Sequence, residues 1–322
     1  MKFKKLITGI SLLGLLMMGG CSAKKTSNES QVKHIGVLQV VQHPSLDKAY
    51  RGFKKGLKKS GYVEGKNLKI DYQNAQNSQD NLKSMSEKLV NDKPDLILGI
   101  ATPAAQSVAN ATQNIPIVVT AVTDLKAAKL VDSNEKPGRN VTGNTDMASI
   151  KQQIELLLSI VPKAKKIGIM YNAGEVNSKV QADLAIKELK KAGITPVIKT
   201  ANTTNDVQQV TEALAGKVQG IFLPTDNTFD SAASVVGKVV KEKKIPLVAG
   251  SVDQVKVGGL ASIGVDFELL GEESGEMAAK ILSGKAKPAN MPVQKPHKVK
   301  LVVNKDMAKA LGIDPNSIKA PK

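Results

Sequence analysis

A pattern that repeats itself 132 positions apart constrains this chain more than any other feature. Ile35-Gly36-Val37-Leu38 returns as Ile167-Gly168-Ile169-Met170. Leu57-Lys58-Lys59-Ser60-Gly61 returns as Leu189-Lys190-Lys191-Ala192-Gly193, at the same internal spacing of 22. The first motif of each pair reads as a short, fully apolar strand, and the second as the end of an amphipathic helix closed by glycine. The echo continues in Gly99-Ile100 and Gly220-Ile221, each followed by a Pro-containing turn and a helix-like run. It appears again in the Ile-Pro-apolar-Val segments Ile115 to Val118 and Ile245 to Val248, which lead to Val122 and Asp124 in one half and to Val252 and Asp253 in the other. A duplicated strand-helix alternation predicts an α/β protein of two similar Rossmann-like lobes with parallel-sheet cores and a cleft between them.

Strands are expected at residues 34–41, 68–72, 95–100, 116–122 and 141–144 of the first half, and at 167–171, 195–199, 220–223, 246–249 and 260–265 of the second. Crossings between the halves are expected near 144–149, 266–271 and 288–296, with a helix over 272–282 returning to the first lobe and a final strand over 298–303. The corresponding division is 33–146 plus 272–290 for the amino-terminal lobe and 147–271 plus 291–322 for the carboxyl-terminal lobe. Lobes joined by several segments form a hinge, and hinged lobes close around ligands.

Ligands of open α/β sheets bind beyond the carboxyl ends of the strands. In Lys166 to Ser178 a buried strand runs into the polar turn Ala173 to Asn177, with Asn177 or Ser178 placed to cap the helix through Val180, Leu184 and Leu189. In the first half, Thr102-Pro103 reads as an N-cap followed by proline at the first helical position. Ala104, Ala105 and Gln106 would then offer free N–H groups to an anion such as a carboxylate, although a Thr-Pro start also serves merely to cap its helix. Pro224 to Thr228 is a third polar turn that opens a helix.

Met1 to Gly20 has the layout of a secretory signal: Lys2, Lys4 and Lys5, then an apolar run from Leu6 to Met18, then Gly19-Gly20 before Cys21. The run is short for a spanning helix. Cys21 is the only cysteine, which excludes an intramolecular disulfide or a multi-cysteine metal site. Residues 21–32 would form the lipidated cysteine and a flexible polar tether. Three of the +17 formal charges lie in the leader, leaving +14. The lysines are spread over helix faces such as Lys54, Lys55, Lys58 and Lys59, a pattern of solvated surfaces beside an anionic envelope rather than a nucleic-acid groove. Aromatic residues make up 3% of the chain and tryptophan is absent, so base-stacking platforms are not evident.

Met17-Met18-Gly19-Gly20-Cys21 resembles a bacterial lipobox. Together with His43-Pro44, Ala101-Thr102-Pro103, Val141-Thr142-Gly143, Tyr171-Asn172-Ala173-Gly174-Glu175-Val176-Asn177-Ser178, Pro224 to Thr228 and Gly264-Val265-Asp266, it resembles the ABC-transporter substrate-binding lipoproteins that include the tryptophan/tyrosine-type binding proteins. The likeness runs from about Lys33 to Leu311. Gln42 and Leu125 depart from it, at positions where relatives often carry Glu and Pro. The resemblance implies the type I periplasmic-binding-protein fold, an extracytoplasmic, lipid-anchored and monomeric protein without catalytic activity or cofactor, and delivery of a small molecule to a permease with its ATPase. It implies an amino-acid ligand, aromatic ones best supported, held by a set drawn from Gln39, Thr102, Pro103, Ala104, Thr123, Tyr171, Asn172, Glu175, Asn177, Ser178, Thr225, Asp226, Asn227, Ser251 and Asp266, with lipid on Cys21.

Residue chemistry points the same way. An α-amino acid needs donors for its carboxylate and an acid for its ammonium. The helix start after Thr102, with Asn177 and Ser178, can supply the donors; Glu175, Asp226 or Asp266 can supply the acid, and each of these also reads as a cap or hinge contact. The few aromatics argue against sugars and nucleosides. A branched-chain amino acid or nucleoside as ligand, or a sensing lipoprotein, are the alternative readings. Ser45-Leu46-Asp47-Lys48 matches a Ser-x-x-Lys nucleophile motif but lacks its partner motifs, and His34, His43 and His297 lack metal-ligand spacing. A repressor of this core would carry a helix-turn-helix where the leader and tether stand, and no nucleic-acid partner is expected.

Overall fold

The computed structural model describes residues 32–321, so the expectations for the leader, for lipidation of Cys21 and for most of the tether lie outside the described residues. The first half runs β1 (Lys33–Gln39), α1 (Pro44–Lys59), β2 (Leu68–Asn74), α2 (Gln79–Asn91), β3 (Leu96–Ile100), α3 (Thr102–Ala111), β4 (Ile117–Val122) and β5 (Val141–Thr145). It forms a five-stranded sheet of order β2-β1-β3-β4-β5, parallel throughout. β1, β3 and β4 are buried along almost their whole length, as strands covered by helices on both faces must be.

The second half runs α4 (Ile150–Ile160), β6 (Lys166–Tyr171), α5 (Val176–Lys191), β7 (Thr195–Thr200), α6 (Val207–Ala215), β8 (Gly220–Leu223), α7 (Asn227–Ser231), α8 (Ala233–Glu242), β9 (Leu247–Ala249), α9 (Val252–Val257) and β10 (Ala261–Val265). After α10 (Phe267–Leu282) the chain supplies β11 (Val299–Val303) and α11 (Lys305–Ala310). The six-stranded sheet has the order β11-β10-β9-β8-β6-β7, with β11 its one antiparallel member. Each sheet has its own apolar core. The repeat is a structural one: Ile35 to Leu38 lies in β1 and Ile167 to Met170 in β6, each the strand from which its sheet grows outward on both sides.

Residues 266–271, expected as a crossing, are instead the cap and first turns of α10. Asp266 accepts from the N–H groups of Glu268 and Leu269, and Phe267 and Leu270 already belong to the first core. The periodicity of Phe267, Leu270, Met277, Ala278 and Ile281 extends the helix further toward its amino end than the glycine at 271 suggested. Gly271 is there for packing. A Cβ at Gly271 would overlap the backbone carbonyl of Ala49, and one at Gly275 that of Phe53; conversely, Cβ atoms at Gly52 and Gly56 would overlap the carbonyls of Glu268 and Glu272. α1 and α10 therefore meet backbone to backbone, in a contact that no side chain at these four positions would permit.

The hinge is tied in the same region. Asn144 donates through Nδ2 to Leu270 O at 2.7 Å, and Thr142 donates through its hydroxyl to Met291 O at 2.6 Å. Gln294 pairs with β5 through Gln294 N–H to Gly143 O and Thr145 N–H to Gln294 O. Pro288–Asn290, expected as part of an extended connection, is a turn of 3-10 helix.

Gly271→Ala is expected to destabilise the protein by about 2 kcal/mol or more in urea unfolding, because the added methyl forces two packed helices apart. Gly216→Ala, at a helix end with nothing near its Cβ, is the control and should be neutral or stabilising by about 0.5 kcal/mol.

Candidate functional site

The carboxyl ends of both sheets carry polar side chains that are buried, and they divide into two groups. The first group is fully bonded within the protein. The Glu175 carboxylate, at the N-cap of α5, accepts from Asn177 Nδ2 at 3.1 Å, from the backbone N–H and side-chain amide of Asn227, and from the backbone N–H and hydroxyl of Thr228 at 3.3 and 3.1 Å. Asp226 caps α7, accepting from Phe229 N–H at 2.9 Å and from Asn172 N–H at 2.6 Å. Gln181 pairs with the Thr225 backbone at both its amide atoms, at 3.2 Å each. Thr228 Oγ1 also accepts from Asn172 and, across the cleft, from Asn77 Nδ2 at 3.1 Å.

The cap of α5 is thus Glu175, with Asn177 and Ser178 inside its first turn rather than at the N-cap. The Glu175 carboxylate makes no bond to the first-turn N–H groups of α5 and instead gathers donors from 52 and 53 residues away. The N-cap of α3 is likewise Ala101, not Thr102, and Ala105 N–H is already bonded to Ala101 O at 3.0 Å. Gln106 falls within the regular i to i−4 ladder, so the open donors at this helix start are the N–H groups of Thr102 and Ala104; Pro103 has none.

The second group is buried and has no hydrogen-bond partner in the protein. It comprises Gln39 Oε1, Thr102 Oγ1, Asp146 Oδ1 and Asn177 Oδ1, and, nearer α1, His43, Asp230, Asp253 and Gln254. Gln39 still donates, to Val41 O and Asp47 Oδ1. Burial pushes the Asp146 carboxyl up to about 6 in spite of the Thr123 hydroxyl beside it. Burial, aided by Glu175, raises Asp226 to about 7. Burial first, and then the acids Asp226, Glu175, Asp253 and Asp146, hold Asp230 well above the carboxylate range. His43 is pushed down to about 4, again by burial, with Asn227 beside the ring but outside hydrogen-bonding geometry and opposing the shift.

Two residues with a positive φ also stand at these strand ends. Ala101 (φ 75) closes β3, and Ala121 (φ 56) sits where the β4–β5 register shifts between Val119 and Val122. A β-carbon in the left-handed region costs on the order of 1 kcal/mol, and such strain gathers where backbone groups must be aimed at a ligand.

Of the residues expected from sequence, Gln39, Thr102, Pro103, Ala104 and Thr123 stand at the carboxyl ends of first-lobe strands or just beyond them, and Tyr171, Asn172, Glu175, Asn177, Ser178, Thr225, Asp226 and Asn227 stand correspondingly in the second lobe; Gln181 Nε2 approaches Thr123 Oγ1 across the lobes at 3.5 Å. Ser251 lies farther along the lobe boundary, where its hydroxyl meets that of Ser45 at 2.9 Å. Asp266 is elsewhere: it caps α10 and pairs with Lys300 Nζ at 3.0 Å, with its side chain 42% exposed. Asp146, Asp230, Gln181 and His43 were missed. Asp230 stands one helical turn after Asp226, and Asp146 immediately follows a strand, positions that in this fold class face the cleft. Among the described residues no group of His, Cys, Asp and Glu is disposed to hold a metal, and no helix is long and apolar enough to cross a membrane.

Residues 34–318 match the model of a family described as ABC transporter substrate binding protein. The chain is 44% identical to a tyrosine-binding protein of Clostridioides difficile, over 96% of this chain and 93% of that protein. Its structure is similar to that of an ABC domain from Streptococcus pneumonia in complex with L-Trp, with a TM-score of 0.84 at 40% identity over 87% of this chain and 94% of that one. It also resembles a ligand-free, open substrate-binding protein with adhesive properties from Clostridium difficile, at 46% identity over 88% and 96% of the two chains, but with a TM-score of 0.68. In shape the protein is nearer the ligand-bound relative, although in sequence it is nearer the open one. The hydrogen bonds across its cleft accord with a closed form.

Two outcomes follow from the polar accounting. Glu175→Ala leaves Asn177, Asn227 and Thr228 donors buried without their acceptor and should cost about 2–4 kcal/mol in unfolding experiments. Ala101→Gly, ordinarily a destabilising change, should leave the melting temperature unchanged or raised because it relieves the positive φ.

Proposed function

Since the chain belongs to the ABC transporter substrate-binding protein family, we propose that it captures an amino acid, an aromatic one in the first instance, between its lobes and passes it to a permease driven by a separate ATPase. The observation that carries this reading is the set of buried polar atoms without protein partners at the strand ends of both lobes: Gln39 Oε1, Thr102 Oγ1, Asp146 Oδ1 and Asn177 Oδ1. Burying such atoms unpaired costs on the order of 1–3 kcal/mol each, so a ligand that supplies donors and acceptors recovers that cost on binding. A zwitterion does both. Its carboxylate accepts from the Thr102 hydroxyl and from the open N–H groups at the start of α3, where the helix dipole favours negative charge. Its ammonium donates to Asp146, with Gln39 Oε1 and Asn177 Oδ1 as further acceptors.

Glu175 and Asp226 hold the second-lobe wall in place, each of their oxygens accepting at least one hydrogen bond from the protein, whereas Asp146 keeps an oxygen with none. The aromatic preference draws on the tyrosine-binding and L-Trp-bound relatives. Substrate capture for an ABC transporter is work done outside the cytoplasm, and the likeness of Met17 to Cys21 to a lipobox supports an anchor through lipid on Cys21.

Charge linkage gives the reading a sign. Asp146 has a raised folded-state pKa, so its contribution to the stability of the unliganded protein is full below about 4, the unfolded value, and is lost as pH rises through about 6. Binding runs the other way, because an ammonium needs the ionised acid. Titration calorimetry of the mature chain with tyrosine and tryptophan should show saturable binding that weakens about tenfold per pH unit below about 6. Near that pH, the measured heat should vary with the ionisation enthalpy of the buffer, since binding releases a proton. Asp146→Asn should abolish the buffer dependence and weaken binding by about tenfold or more. Binding of sugars or nucleosides alone, or pH-independent binding, would overturn the assignment. Cys21→Ala should shift the protein from the membrane fraction into the medium.

A further inference from the structure

The lobes also meet at the start of α1, in a seam that the proposed ligand contacts do not use. From the first lobe come His43, Ser45 and Lys48; from the second come Asp230, Ser251, Asp253 and Gln254. The Ser45 and Ser251 hydroxyls are 2.9 Å apart, and Lys48 Nζ pairs with Asp253 Oδ1, which Lys256 also contacts at 3.1 Å. Among these side chains lies a cavity of about 10 Å³, lined by His43, Ser45, Asp230, Asp253 and Gln254.

His43, Asp230, Asp253 and Gln254 are 5%, 6%, 3% and 3% exposed. Yet both ring nitrogens of His43, Asp230 Oδ1, Asp253 Oδ2 and both amide atoms of Gln254 lack a hydrogen-bond partner in the protein. Four nearly buried polar side chains around one small cavity make a built site. The volume is at the lower end of what one water molecule requires. The chemistry agrees, because the set mixes donors and acceptors. A bare cation would face the Gln254 N–H groups, and an anion would face two acids, whereas water donates twice and accepts twice.

We infer that the closed lobes hold one ordered water between His43, Asp230, Asp253 and Gln254. This water, the Ser45–Ser251 pair and the Lys48–Asp253 ion pair form a latch that sets the open-to-closed equilibrium without touching the ligand. The inference rests on the reading of a protein that closes on its ligand. A water bridging two buried groups contributes nearly as much as a direct hydrogen bond, so the seam favours closure only when the guest is in place. Weakening the latch lowers the fraction of binding-competent closed protein, and apparent affinity falls by that same factor for every ligand.

The test compares Ser45→Ala and Gln254→Leu with the wild-type mature chain, using tyrosine and tryptophan as probes. Both variants should bind about three- to tenfold more weakly, by the same factor for the two ligands, and with faster dissociation. Wild-type affinity in both variants, or a loss confined to one ligand, overturns the latch. Ser45→Ala removes a single oxygen, so it keeps the test valid should Gln254→Leu fold poorly. A crystal structure of the closed protein at about 2 Å or better decides the water directly. One peak within about 3.2 Å of the Gln254 amide and of an Asp230 or Asp253 oxygen supports it. Direct contacts among these side chains with no peak refute it, whatever ligand the crystal holds. Should wild-type protein bind neither amino acid, it is the ligand assignment that fails, and the crystallographic result still decides the seam.

Discussion

The backbone contact between α1 and α10 is where the parts of this protein are brought into register. Gly52 and Gly56 on one helix and Gly271 and Gly275 on the other remove every side chain that would hold the axes apart. α10 arrives at that contact directly from β10, and the Asn144 side chain fastens Leu270 O to the last strand of the first sheet. The same contact fixes the direction of α1, whose first turn carries Ser45 and Lys48 to the lobe boundary. The hinge and the seam are therefore positioned from one packing interaction. The exposed ion pairs that flank it, between Lys55 or Lys59 and Glu272, add little beside the close packing, because salt bridges of exposed lysines are screened by water.

Around the cleft the decisive quantity is hydrogen-bond satisfaction rather than charge alone. Glu175 sits in a nest of amide and hydroxyl donors, and Asp226 is consumed by helix capping, so these acids shape the wall. Asp146 and Asp230 are equally buried but keep an unpartnered oxygen, and burial raises both well above the usual carboxylate range. An acid held ready in this way is inexpensive to leave neutral in the absence of a cation and favourable to ionise in its presence. The positive φ angles at Ala101 and Ala121 belong to the same logic: local strain is tolerated where backbone groups are aimed into the cleft.

Closure connects the two regions. The cross-cleft bonds of Asn77 to Thr228, of Gln181 to Thr123 and of Ser45 to Ser251 come from different elements of each lobe, so a hinge motion makes or breaks them together. The closer likeness in shape to an L-Trp-bound relative than to an open one is the outcome expected when all three are formed.

The amino-acid sequence by itself determined the two-lobed α/β plan, because apolar strand runs, glycine helix ends and their recurrence after 132 residues are local signals that survive without knowledge of contacts. It also marked most of the strand ends, and through them Thr102, Thr123, Glu175 and Asp226. It did not show which of the acids stay unpaired, because the donors that saturate Glu175 lie 52 and 53 residues away and become its partners only in the folded chain. It placed two helix caps one to three residues late, and it read residues 266–271 as a crossing where the partner helix makes Gly271 a contact surface. Local pattern fixes elements; the choice between a supporting residue and a binding residue depends on which hydrogen bonds remain unmade, and only the tertiary structure decides that.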